Sequence, residues 1–141
     1  MSAVYLAILA AVSFGLWTVF HKVAAPHIDK VVGAIVVSAV AVIVGLIVLM
    51  PKIKSVHLFE DWRGIVFVAL AGIAAFFIDY LALSAYGKGL PVSVGGPIII
   101  GGSIALASII GFFMGESVSL LKIIALILIV GGSGILAYLS K

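Results

Sequence analysis

The chain has 141 residues, 65% of them hydrophobic and 9% charged, with a formal net charge of +3 and a mean hydropathy of +1.47. A soluble domain is roughly half apolar and about a quarter charged, and a chain this small leaves too much surface exposed to hide such an excess inside itself, so a soluble fold is excluded and lipid must solvate most of it. The 8 basic residues are scattered at the ends of apolar runs without forming a patch, which argues against a nucleic-acid partner, and the absence of cysteine removes disulfides and thiolate metal sites.

The first apolar run spans Ala3–His21. Met1–Tyr5 carries no positive charge, the run is longer than a signal core, and its small-residue exit Val23-Ala24-Ala25 is followed by Pro26, a poor cleavage context. It therefore reads as a retained span. Ala7, Ala11 and Gly15 make a small-residue stripe leading to Trp17, which either lines a solute pathway or sits at an interface. Lys22, just beyond, reads as an anchor that snorkels to the headgroups.

The second run is Val31–Met50, reached through a connection that Pro26 breaks. Between Pro51 and Arg63, the spacing of Ile53, Val56, Phe59 and Trp62 among Lys52, Lys54, Glu60 and Asp61 predicts a short helix lying in the membrane interface.

The third run, Gly64–Tyr86, contains the most informative residue, Asp79. It lies about 10 Å from the far end of that helix by helical rise. Ionisable groups at such depth are costly and face a cavity or a partner. Gly72, Ala75, Asp79, Ala82 and Tyr86 share one stripe, whose small residues are expected to leave space beside the carboxyl group. That group can carry a proton or meet a cation; the plainer alternative is a carboxyl bonded to a neighbouring hydroxyl.

The fourth run, Val92–Met114, follows Gly87-Lys88-Gly89-Leu90-Pro91, with Pro91 where a helix start tolerates it. Gly95-Gly96-Pro97 should kink or open the helix, and interrupted spans in transporters expose backbone to solute. Ser103, Ala107, Gly111 and Gly115 form a small-residue stripe suited to close helix packing. The last run, Leu120–Leu139, carries Gly131-Gly132-Ser133-Gly134, a second contact surface.

Each run is roughly 19 to 23 residues, enough to cross about 30 Å of hydrocarbon, and too long and unbroken for barrel strands. The fold class is all-α: one domain, residues 1–141, forming an integral membrane bundle of five transmembrane helices. Lys52, Lys54, Arg63 and Lys122 fall on one side, and Lys22, Lys30, Lys88 and Lys141 on the other. This even split sets no preferred orientation. His21, His27 and His57 have no ligand spacing, so no metal is expected, and no catalytic motif or cofactor fingerprint is present.

Three stretches carry a family likeness: Ser13-Phe14-Gly15-Leu16-Trp17-Thr18-Val19-Phe20-His21-Lys22; Tyr80-Leu81-Ala82-Leu83-Ser84-Ala85-Tyr86 with the Gly95-Gly96-Pro97 region; and Phe113-Met114-Gly115-Glu116-Ser117-Val118-Ser119. In this order and spacing the chain resembles the EamA-type transporters of the drug/metabolite transporter superfamily, in a short form with one five-helix repeat. It departs at Ser117, where that family commonly has a basic residue, and Asp79 lies outside the family's general pattern. The first helix also lacks the acid that the related small multidrug resistance proteins use.

The resemblance implies secondary transport, without enzyme activity or cofactor. Because two-repeat relatives hold their halves in inverted orientation, it also implies a homodimer, with an antiparallel arrangement left open. The expectation is a multi-pass protein of the plasma membrane that moves a small organic solute by alternating access. Its pathway would run near Trp17, Asp79, Tyr86, Gly95, Gly96 and Pro97, and its dimer and helix contacts would use the two small-residue surfaces. The alternatives are a lipid-linked-sugar flippase subunit and a non-transporting assembly or regulatory protein.

Overall fold

The structure is a computed structural model that describes residues 2–53 and 61–139. Among the described residues five helices follow one another: α1 (Ala3–Ala24), α2 (Lys30–Leu49), α3 (Trp62–Gly87), α4 (Val92–Phe113) and α5 (Leu120–Leu139), with one 3₁₀ turn at Met50–Lys52. All five are long and apolar enough to cross a bilayer.

The ends fall where capping chemistry places them. Asp29 accepts from the backbone N–H groups of Val31 and Val32, opening α2. Asp61 accepts from Arg63 N, so α3 begins at Trp62, two residues before the apolar run itself. Trp62 therefore opens a membrane helix and takes no part in an interfacial one. Val56 and Phe59, the other half of that expectation, lie outside the described residues, as do Lys54, His57, Glu60 and Lys141. α1 runs on past His21 to Ala24, because Pro26, two residues later, is the first residue that cannot continue it.

The two tight turns close identically. After α3, Gly89 has φ +98° and donates to the carbonyl of Tyr86, while Leu90 donates to that of Ala85. After α4, Gly115 has φ +91°; it donates to the carbonyl of Phe112 and Glu116 to that of Gly111. Both are Schellman closures, in which a left-handed glycine lets the chain satisfy the last carbonyls of a helix. Gly115 thus serves the turn and lies beyond the end of α4, not on its packing stripe.

α2 packs on α3, α4 packs on α5, and α1 lies against both α3 and α4. In lipid, helices gain little from hydrophobic burial against one another, so small residues and hydrogen bonds decide which faces meet. Gly33 fits this: a Cβ there would lie 2.6 Å from Leu83 Cδ1, so α2 and α3 approach this closely only through glycine. At Gly101 a Cβ would collide with Ser133 Oγ, and that hydroxyl lies 2.9 Å from both the Pro97 carbonyl of α4 and the Ile129 carbonyl of its own helix, sharing its one hydrogen between the two. The buried apolar residues are Ala25, Ala34, Ala82, Leu83, Tyr86 and Val94. All lie where α1 and α3 end and α2 and α4 begin. No described residue of α5 is buried.

Candidate functional site

Asp79 is 6% exposed. The space expected beside it is filled. Trp17, from α1, donates its indole N–H to Asp79 Oδ1 at 2.8 Å, and His21 Nε2, one turn further along α1, lies 3.1 Å from the same oxygen. Gly72 and Ala75, lower on the Asp79 stripe, are exposed, so only its upper part, Asp79–Ala82–Tyr86, faces the bundle.

The His21 ring stacks on Trp17 with centroids 4.0 Å apart, and its Nδ1 sits 2.9 Å from the Trp17 carbonyl. Thr18, between them, is buried and donates to the Phe14 carbonyl. A carboxylate at this depth needs donors; α1 supplies one from Trp17 and brings His21, four residues on and hence on the same face, beside the same oxygen. His21 is the residue that the sequence reading missed. Trp17 and His21 at i and i+4, facing a helix with a lone acid, are a pattern legible in hindsight.

Two cavities flank this cluster. One, of about 520 Å³, lies between α1 and α2; its wall includes Ser13, Trp17, His21, Gly33, Val36 and Leu83. Trp17 and His21 form its polar side, with Asp79 behind them. The other, of about 340 Å³, lies among α1, α4 and α5 and is lined by Gly15, Thr18, Gly96, Pro97, Ile100 and Ser133, among others. The structure therefore brings Trp17 and Asp79 together and sets Pro97 at a separate cavity on the other side of α1.

The remaining candidates lie apart. α4 passes through Pro97 as one helix, without the opening expected there. Gly95 and Gly96 are contact points: a Cβ on Gly95 would meet Tyr86 Cε1 at 2.5 Å, and one on Gly96 would meet Thr18 Cγ2 at 3.3 Å. Tyr86 is 2% exposed, with its hydroxyl unpaired, and packs in the core with Ala25, Ala82 and Leu83. The Lys22 ammonium donates to the Tyr86 carbonyl at 3.3 Å, a cation at the carbonyl end of α3. Gly111 backs onto the Glu116 carboxylate of its own turn. Ser103, Ala107, Gly131, Gly132 and Gly134 are exposed, with open space beside the last three.

The model of the EamA-like transporter family matches residues 1–138. Neither a curated protein nor a solved structure matches the chain.

Proposed function

The chain belongs to the EamA-like transporter family and is a multi-pass membrane protein, and on that premise we propose that it is a secondary transporter of a small organic solute, acting as a homodimer in the plasma membrane by alternating access. The observation that carries this reading is the Trp17–His21–Asp79 cluster, a buried carboxyl held by two side chains that also line an open cavity between membrane-spanning helices. In a chain with so little polarity in its spans, such a cluster is costly unless it is used.

The cavity of about 520 Å³ falls within the usual size of small-molecule sites. Its mostly apolar wall favours amines, amino acids or amphiphilic metabolites over sugars with many hydroxyls. Asp79 serves as the coupling group. Pro97 and the glycines before it give α4 a point about which to bend, and Ser133 holds that point to α5. A second copy supplies the other half of the pathway, covering faces that one copy leaves open.

The test is uptake by proteoliposomes of a panel of amines, amino acids and amphiphiles, at several pH values, with wild type and Asp79→Asn. A coupling role predicts a loss of at least about tenfold in the variant, on the scale of one buried charged interaction, with the protein still folded. Unchanged transport with unchanged pH dependence would remove Asp79 from the mechanism.

One observation favours a second reading. The cavity opens between α1 and α2, and apart from Ser13, Trp17 and His21 its wall is apolar, which suits a lipid-linked substrate entering sideways, as in a flippase subunit. That reading predicts movement of a lipid-linked sugar without pH dependence.

A further inference from the structure

His21 and Asp79 are both buried, at 4% and 6% exposure. The hydrogen-bond inventory around them fixes more than their positions. His21 Nδ1 faces the carbonyl oxygen of Trp17 at 2.9 Å. A carbonyl can only accept, so Nδ1 must carry a hydrogen, and the neutral ring then has a bare lone pair at Nε2. That Nε2 lies 3.1 Å from Asp79 Oδ1. With the carboxyl also ionised, two lone-pair-bearing atoms would face each other in a site that water does not screen, and the contact would be repulsive.

One proton reverses the sign. On the ring it makes an imidazolium beside a carboxylate; on the carboxyl it makes an acid beside a neutral ring. Either arrangement is net neutral and attractive. As placed, Nε2 has no formed hydrogen bond, although Asp79 Oδ1 lies 3.1 Å from it. The Trp17 indole already donates to the same oxygen, but a neutral donor does not balance the charge.

Among the described residues no other ionisable group is engaged with the pair. On α1, Lys22 is held at the Tyr86 carbonyl. On α2, Lys30 is the sole ionisable side chain, and it is held at the Ala25 carbonyl. On α3, Tyr80 is the next residue in sequence and points from a different face, and Tyr86 lies two turns on. α4 carries no ionisable side chain.

We infer that His21 and Asp79 form a single proton-binding site joining α1 to α3, in which one proton is shared and its release loosens that junction. This deepens the transport reading and rests on it for its use: His21 lines the cavity and Asp79 lies behind it, so loss of the proton presents an unbalanced carboxylate toward whatever occupies the cavity. The proton then competes with the solute for one site. His21 acts as a positioning residue that completes the proton site.

The experiment is nitrogen-15 NMR of ring-labelled histidine in full-length protein in lipid nanodiscs. His27→Gln and His57→Gln leave His21 as the only signal. Between pH 5 and 9, Nδ1 should remain protonated throughout, while Nε2 should change state in one transition. In Asp79→Asn the midpoint should move by at least one pH unit, a tenfold change in proton affinity. Trp17→Phe, which keeps the carboxyl, should move it by less. A His21 without a transition, an Nε2–H tautomer at high pH, or a spectrum indifferent to Asp79→Asn would each overturn the shared proton. The expected titration in a protein whose proteoliposomes move no solute would instead remove the transport reading and leave the proton site standing.

Discussion

The two ends of this bundle are built differently. At one, where α1 and α3 finish and α2 and α4 begin, glycine lets side chains from neighbouring helices into van der Waals contact: Gly33 under Leu83, Gly95 under Tyr86, Gly96 under Thr18. The same end holds the cross-helix polar contacts, Trp17 and His21 to Asp79 and Lys22 to the Tyr86 carbonyl. At the other, where the chain starts and α2 and α4 finish, Gly72 has nothing near it, and Leu6, Leu46, Val68 and Ile110 stand exposed. Because helices in lipid are held by contact more than by exclusion of water, the first end is the more closely fastened of the two within a single chain.

The largest effect tests what covers the open end. Cysteine-free protein carrying either His27→Cys or Ser117→Cys leaves the lysine balance untouched and places a thiol on an exposed connection at opposite membrane faces. An antiparallel homodimer predicts that an impermeant reagent labels each site in about half of the molecules. Complete labelling of one site with none of the other would require a parallel pair or a different partner.

The next effect contrasts the ends directly. Gly95→Ala drives a methyl against the buried Tyr86 ring and the Leu90 side chain and should cost about 1–3 kcal/mol. Gly72→Ala enters open space and should change stability by no more than about 1 kcal/mol, in the stabilising direction if helix propensity decides. Thermal unfolding in a mild detergent measures both; equal losses would mean that the ends are not packed differently.

The smallest effect belongs to Asp29. Backbone N–H bonds from Val32 and Val31 hold its carboxyl below the ordinary value of 3.8. A group lowered in the folded state lends stability above its unfolded value, and loses it as pH falls through the lower folded one. Asp29→Ser keeps a cap without a titrating group. Its melting temperature should therefore fall less than that of wild type as the pH is taken from 5 down to 3, and an identical fall would show that the cap does not titrate with folding.

Much of the plan was legible in the residues. The five helices lie within a few residues of the apolar runs, because crossing a bilayer requires only length, apolar side chains and internally satisfied backbone. Where ends shifted, a local signal was present, as with Asp61 before α3 and Pro26 after α1. The family likeness read from three weak motifs proved to be membership across residues 1–138. Asp79 stood out because a lone acid in a span has a cost visible in one dimension. Trp17 was placed on the same pathway, but its hydrogen bond to Asp79 and the place of His21 were not legible, since helices apolar on every side carry no periodic signal of which face packs inward.

The sequence by itself thus determined that this is a membrane protein, how many helices cross and where they stop, since each of these depends on the free energy of one segment in lipid or on a cap a few residues away. Only the tertiary structure decided that His21 stands beside Asp79, that Pro97 faces another cavity, and that the glycines of α4 serve close contact with Tyr86, Thr18 and Ser133. Those outcomes depend on how far each helix is rotated and how closely it approaches its neighbours, which side chains distant in sequence settle together.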